Sequence, residues 1–254
     1  MNVLIITGAS SGMGRETAVQ LDKIYTTGID EIWLVARRKA RLEELAGTLT
    51  HRTRIFPLDL TDEKNIQEFD LTLNMINPNV KMLVNASGFG IMGNFTDVYA
   101  KEHTDVVKLN CEALTRVTHM VLEYMREGAR ILQFASSAAF MPQPGFAVYA
   151  ASKAYVLSFS RALNAELADR GISVTAVCPG PVNTEFFDIA EKNGTNYHFK
   201  KLFMADKEGV VRRALADAYH RRDVSVYSFA MNLFRAVAKV VPHRLVMCLL
   251  KYFK

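Results

Sequence analysis

Two tyrosines in this chain are followed four residues later by a lysine: Tyr149 by Lys153, and Tyr197 by Lys201. Nine tyrosines and 14 lysines in 254 residues would give about half such a match by chance, so the spacing alone says little. Each tyrosine also has a hydroxyl residue thirteen positions upstream, Ser136 for the first and Thr184 for the second. A phenol beside an ammonium can exchange a proton with an alkoxide, because the positive neighbour favours the ionised phenol. A serine hydroxyl aimed at the same oxygen would stabilise the charge developing there. Such a trio suits the interconversion of a carbonyl and an alcohol, in which hydride reaches carbon and a proton reaches oxygen.

Context separates the two pairs. Tyr149 and Lys153 open a strongly helical stretch, Val148 to Asp169, where an i, i+4 offset sets both on one face. An apolar strand, Arg130 to Ala135, ends immediately before Ser136 and Ser137. The intervening loop is long enough to bring that strand end back to the helix start. Ser136 and its neighbour Ser137 differ only by the loop count. Tyr197 and Lys201 start no helix and fit better in a lid over the substrate. Asn110 sits in Leu109-Asn110-Cys111 inside a long helical stretch and is a poor helix former. A kink there could offer a backbone carbonyl to a water linking Lys153 with solvent.

The elements around these residues alternate. Short β-branched runs occur at Val3–Thr7, Glu31–Ala36, Arg54–Leu58, Lys81–Asn85, Arg130–Ala135 and Ile172–Cys178. Helical patterns fill the gaps: Gly12–Tyr25, a segment holding Leu42 and Leu45, one opened by Asp62 after Thr61 as N-cap, a long broken stretch from about Asp97 to Arg126, and Val148–Asp169. Continuous apolar strands separated by helices predict a parallel sheet covered on both faces. Ligands of such sheets sit beyond the carboxyl ends of the strands, where every candidate residue falls.

The first strand runs into Thr7-Gly8-Ala9-Ser10-Ser11-Gly12-Met13-Gly14. The G-x-x-x-G-x-G spacing is expected by chance roughly 0.04 times in this composition. Gly8 suits the tight turn, Gly12 the approach of a pyrophosphate and Gly14 close packing of helix on sheet. The helix N-terminus then presents free N–H groups to phosphate. Arg37 and Arg38 follow the second strand, where an acidic residue would favour NAD and an arginine accommodates the 2′-phosphate of NADP. NADP(H) is the cofactor expected over NAD(H).

Together these segments resemble the short-chain dehydrogenase/reductase family from about Asn2 to Thr184, in the same order. Thr7 to Gly14 matches its T-G-x-x-x-G-x-G loop. Asp59-Leu60 resembles the acidic residue that contacts the adenine amine. Leu83-Val84-Asn85-Ala86-Ser87-Gly88 resembles L-V-N-N-A-G, with Ala86 and Ser87 as departures that remove any side-chain amide at position 86. Pro179-Gly180-Pro181-Val182-Asn183-Thr184 resembles the segment bordering the nicotinamide. The resemblance implies a catalytic tetrad of Asn110, Ser136, Tyr149 and Lys153. It also implies cofactor contacts from Gly8, Ser10, Ser11, Gly12, Met13, Gly14, Arg37, Arg38, Asp59, Leu60, Asn85, Ala86, Ser87 and Gly88. Tyr149, Lys153, Pro179, Gly180, Val182 and Thr184 would complete that set. The fold implied is an α/β, Rossmann-type, doubly wound parallel sheet in a single domain over residues 1–254, assembled as a dimer or tetramer.

Composition narrows the remaining choices. Half of the chain is apolar and no low-complexity tract occurs, which excludes disorder. The three cysteines, Cys111, Cys178 and Cys248, are far apart without a C-x-x-C pair, so neither a disulfide framework nor a zinc site is expected. No apolar run reaches the length of a spanning helix, and the apolar N-terminal stretch is too short for a signal peptide; a cytoplasmic enzyme without metal is the expectation. After Asp223 there is no acidic residue, while Arg235, Lys239, Arg244, Lys251 and Lys254 carry the whole formal +5. The first 223 residues are therefore neutral, and nucleic-acid binding has no support. Residues 185–206, with Phe186, Phe187, Ile189, Phe199, Leu202, Phe203 and Met204, suit an apolar substrate lid or a segment packed onto the core. A last strand over Val224–Tyr227 is expected to lead into a basic, apolar C-terminal segment, 224–254, with two helices interrupted at Pro242. That segment suits packing on the body or on another subunit, or peripheral membrane contact.

Overall fold

The computed structural model describes residues 1–191 and 204–242. Seven strands form one sheet of order β3-β2-β1-β4-β5-β6-β7: β1 (Asn2–Thr7), β2 (Glu31–Val35), β3 (Thr53–Phe56), β4 (Asn79–Asn85), β5 (Met125–Phe134), β6 (Ser173–Val177) and β7 (Val224–Ser225). Every pairing is parallel. The order reverses beside β1, so the crevice above β1 and β4 is the expected ligand position.

Alternation along each strand builds two cores. Val3, Ile5, Trp33, Val35 and Leu83 point to one face, against α3 (Glu63–Ile76), α5 (Leu114–Leu122) and α6 (Ala147–Glu166). Leu4, Ile6, Ile32, Leu34 and Val84 point to the other, against α1 (Gly12–Ile24), α2 (Lys39–Ala46) and α8 (Lys207–Tyr219). The strands are buried on both sides, which is why they read as unbroken apolar runs.

Three sequence expectations shift. Asp62 is the N-cap of α3 rather than its first helical residue: its carboxylate accepts from the Asn65 N–H at 3.0 Å, a better acceptor at that place than the Thr61 hydroxyl. The stretch expected as one broken helix to Arg126 becomes α4 (Ala100–Val107), a π-helical segment (Lys108–Ala113) and α5. It ends at Leu122, because Met125 and Ala129 enter the core as part of β5 and Gly128 turns with φ +83°. The final strand keeps only Val224 and Ser225, since Tyr227 turns outward and its hydroxyl donates to Asp206. Beyond it, α9 (Phe229–Val240) is capped by the Ser228 hydroxyl. A second tail helix, and the lid residues Tyr197, Phe199, Lys201, Leu202 and Phe203, lie outside the described residues. No described helix is long and apolar enough to cross a membrane.

Candidate active site

The turn after β1 is built by close backbone contact. Gly8 has φ +68°, and a Cβ there would lie 2.7 Å from the Ala86 carbonyl, so the loop can lie flat on the end of β4 only as glycine. Gly14 brings α1 onto the loop, its virtual Cβ 2.4 Å from the Gly8 oxygen. Ser11 caps α1 without a side-chain hydrogen bond, which leaves the first-turn N–H groups directed at the crevice. Met13 is half-buried against the core beneath. An uncapped helix start above a cradle of this flatness fits a dinucleotide pyrophosphate.

At the adenosine side, Arg38 lies over the loop. Its guanidinium donates to the Ser10 hydroxyl at 3.1 Å and to the Ser11 hydroxyl at 2.7 Å. It also reaches Glu185 at 3.0 Å, and Arg41 donates to the same carboxylate. Those arginines, Arg41 first, hold the Glu185 carboxyl below the usual carboxylate range. Arg37 is more exposed and stands 3.8 Å from Asp59. The Asp59 carboxylate is also occupied by Thr61, through its N–H at 2.9 Å and its hydroxyl at 2.7 Å. The side chain of Leu60 belongs to the core.

The end of β4 divides between core and crevice. Asn85 is buried and its amide donates to Thr118 at 3.0 Å, so its side chain ties β4 to α5 and does not face the crevice. Ala86 packs on the core, the Ser87 N–H donates to Thr7 at 3.3 Å, and Gly88 lies against Asn110 and Lys153.

The proton-transfer candidates converge. Ser136 follows β5 by two residues, its hydroxyl accepting from the Ala138 N–H at 3.1 Å, and it lies near enough to Tyr149 to pull the acidity of the phenol. It is therefore Ser136, and not Ser137, that meets the phenol; the Ser137 N–H is used at 2.8 Å on Pro179. Lys153 donates to the Phe134 carbonyl at 2.7 Å and lies 5.7 Å from the centre of the Tyr149 ring. Both side chains are buried. Burial pushes the phenol up to about 12, against the pull of Ser136, and the amine down to about 8. Desolvation is the largest influence on the tyrosine here.

Asn110 lies in the π-helical segment, a widening that accounts for the expected break in the helix. Its side chain is fully used. The amide donates to the Phe89 carbonyl at 2.9 Å and to Ser152 at 3.0 Å, and its oxygen accepts from the Phe89 N–H at 3.1 Å. Ser152 in turn donates to the Tyr149 carbonyl at 2.7 Å. Asn110 thus fastens the loop after β4 to the helix carrying Tyr149 and Lys153.

After β6, Gly180 lies against Met231 of α9. Val182 is buried and bridges to Ala205. Thr184 stands 3.6 Å from where a Gly12 Cβ would be. The short helix α7 (Phe186–Ala190) then crosses above Tyr149. Phe186 approaches the Tyr149 ring to 5.3 Å, Phe146 stacks on it at 4.2 Å, and Met92 donates to the Ala190 carbonyl at 2.8 Å. Ile189 and Met204 are exposed.

Sequence reasoning missed five participants: Arg41, Phe146, Ser152, Cys178 and Glu185. Cys178 is buried beside Tyr149 and Lys153, and burial pushes its thiol up to about 12. An apolar cavity of about 460 Å³ is lined by Ala139 to Pro144 and by Ala147, Ala150, Ala151 and Ala154. None of Ser136, Tyr149 or Lys153 lines it, so it is not the reaction cleft. Among the described residues no cluster of three or more His, Cys, Asp or Glu could hold a metal.

This geometry has known counterparts. The family model for short chain dehydrogenases matches residues 2–194. Sulfoacetaldehyde reductase 2 of Chromohalobacter salexigens is 37% identical over 191 residues, 73% of this chain and 74% of that protein. A very-long-chain 3-oxoacyl-CoA reductase of Phaeosphaeria nodorum is 32% identical over 183 residues, 68% of this chain and 52% of that one. Among solved structures, a short-chain dehydrogenase from Sphingobium yanoikuyae in complex with NADPH superposes with a TM-score of 0.78 at 26% identity, over 95% of this chain and 97% of that one. With its parallel sheet, glycine turn and buried Ser-Tyr-Lys cluster, the chain belongs to the short-chain dehydrogenase/reductase family, and it is a nicotinamide-dependent oxidoreductase of carbonyl and alcohol groups.

Proposed function

We propose that this protein uses NADP(H) in preference to NAD(H) to interconvert an apolar ketone or aldehyde and its alcohol. The observation that carries the reading is the convergence of the Ser136 hydroxyl, the Tyr149 phenol and the buried Lys153 amine beyond the strand ends. The bound nicotinamide supplies hydride to the carbonyl carbon. Tyr149 delivers the proton to the carbonyl oxygen, and Ser136 donates a hydrogen bond to that oxygen as charge develops. Lys153, charged at neutral pH and close behind the phenol, favours the transient phenolate and holds the nicotinamide ribose. Asn110 keeps Phe89 and Ser152 in place, and with them the start of α6. A water chain from its backbone carbonyl would return the proton to Lys153.

Arg38, on Ser10 and Ser11, with Arg37 and Arg41 beside it, supports the 2′-phosphate preference. The apolar substrate is supported by what surrounds Tyr149: Phe146, Phe186, Phe187, Met92 and Ala190. The screen that tests the reading follows NADPH oxidation over aliphatic, steroidal, acyl and sulfonated carbonyl compounds. Turnover confined to apolar ketones or aldehydes supports it. No turnover with any of them, despite NADPH binding, would favour a nucleotide-responsive binding protein instead.

A second reading concerns place. On α9, Phe229, Leu233, Val237 and Val240 are exposed while Phe234 packs on Phe140, and Arg235 and Lys239 lie on the same helix. An exposed apolar stripe on a helix whose charges are all cations, Arg235 and Lys239, suits a cytoplasmic enzyme resting on an anionic membrane surface; a subunit contact within a homo-oligomer is the rival. Flotation with phosphatidylserine vesicles, with Phe229→Ser/Leu233→Ser as control, decides: equal recovery of both proteins removes the membrane reading.

A further inference from the structure

Glu185 has no place in the chemistry above, yet it is the best-connected charged residue at the mouth of the site. It follows Thr184 directly and immediately precedes α7, whose Phe186 covers Tyr149. Its carboxylate reaches across the crevice to α2 and its N-cap. One oxygen accepts from Arg38 at 3.0 Å, and the other accepts from Arg41. Arg38 is at the same time the residue that spans Ser10 and Ser11. The lid helix is thus tied at both ends, to the arginines through Glu185 and to the loop after β4 through Met92 and Ala190.

The consequence follows from charge. A carboxylate and a phosphate monoester compete for the same guanidinium geometry. Glu185 therefore sits where the adenosine-side arginines would receive an external anion. All three side chains are partly exposed, at 45% for Arg38, 41% for Arg41 and 44% for Glu185, so exchange of one anion for another needs no burial of charge. Meanwhile Tyr149 is closed off by Phe146 and Phe186. Phe186 is the part of that cover carried by α7, and its movement would open the phenol to a carbonyl substrate.

We propose that Glu185 is an internal anion that masks Arg38 and Arg41 and holds α7 down, and that a 2′-phosphate takes these arginines from it and so frees the lid for substrate. The proposal rests on the 2′-phosphate reading above and adds to it a specificity-determining residue and an order of events, cofactor before substrate. Glu185 then lowers the affinity for 2′-phosphorylated nucleotides by competition, and couples their binding to the position of Phe186.

Calorimetric titration of the whole protein and of Glu185→Gln, with adenosine 2′,5′-bisphosphate and with 5′-ADP as probes, tests this. Two exposed ion pairs to one carboxylate set the scale at roughly five- to tenfold. Glu185→Gln is expected to bind the 2′,5′-bisphosphate tighter by that factor and 5′-ADP unchanged. Weaker or unchanged binding of the bisphosphate by the variant overturns the mask. Hydrogen exchange gives the second readout: the bisphosphate, and not 5′-ADP, should speed exchange at Phe187 and Glu191 in the wild type, and Glu185→Gln should exchange fast without ligand. Equal exchange in all states overturns the lid coupling. Equal affinity of the wild type for the two probes would sink the NADP preference, whereas the variant-to-wild-type ratio judges Glu185 whichever way that comparison falls.

Discussion

Replacing Lys153 by methionine should remove a cost to folding that depends on pH in a defined way. The lysine is 5% exposed, and its one hydrogen bond among those described is to the Phe134 carbonyl at 2.7 Å. Burial lowers its amine from 10.5 to about 8. That gap amounts to about 3 kcal/mol against the charged amine in the folded chain. Below pH 8 both folded and unfolded chains hold the proton and the full cost is present. Between 8 and 10.5 the unfolded chain holds more protons, so stability rises with pH as the cost is relieved. Tyr149 acts in the opposite sense at higher pH. Its phenol is raised from 10 to about 12, so the unfolded chain loses that proton first and stability falls across that window. Denaturant unfolding of wild type and Lys153→Met at pH 7 and pH 10 isolates the lysine. The wild type should gain about 2–3 kcal/mol on the variant over that interval. Parallel stability curves would show that the amine is not desolvated and would remove the physical basis of its assigned role. The same titration has a catalytic face: reduction measured with saturating NADPH should fall above pH 8 in the wild type, and Lys153→Arg should carry that fall to higher pH.

The cofactor reading makes a comparison of neighbouring arginines. Arg38 is engaged with Ser10 and Ser11, whereas Arg37 is 72% exposed and, among the described residues, stands 3.8 Å from Asp59. Arg38→Ala is therefore expected to weaken NADPH by about tenfold and NADH by much less, as followed by the fluorescence of the bound nucleotide; the loss from Arg37→Ala should be smaller. Equal losses for NADPH and NADH in Arg38→Ala would take the 2′-phosphate away from this residue. Asn110→Ala should strip three hydrogen bonds from the joint between the loop after β4 and α6. It should cost about 2 kcal/mol in unfolding free energy, since it leaves the half-buried Phe89 backbone and the buried Ser152 short of partners; an unchanged denaturation midpoint would contradict that joint.

Much of this architecture is legible in the residues because it is local or periodic. Val3 to Thr7 and Lys81 to Asn85 read as strands since both their faces are buried, which leaves no polar alternation to confuse with a helix. The glycine turn is legible because Gly8 carries a positive φ against β4 backbone. Tyr149 and Lys153 share a helix face by spacing alone. What was hidden depends on distant partners. Arg41 looks like an ordinary helix-surface cation until Glu185, 144 residues later, is folded against it. Asn85 sits at a cofactor-contacting position in the sequence, yet its amide is spent on Thr118, because β4 ends with that side chain turned toward α5. The burial of Tyr149 could not be inferred from its helix alone, since Phe146 at the N-cap of α6 is only half of its aromatic cover and Phe186, beyond β6, is the other.

The central claim is that the Tyr149 phenol moves the proton. Stopped-flow measurement on Tyr149→Phe, with NADPH binding and NADPH oxidation followed on the same sample, tests it most directly. Deleting one buried hydroxyl leaves the glycine turn and the arginines untouched, so binding should stay within about twofold while turnover falls by at least about a thousandfold. Oxidation at the wild-type rate would mean that another group carries the proton.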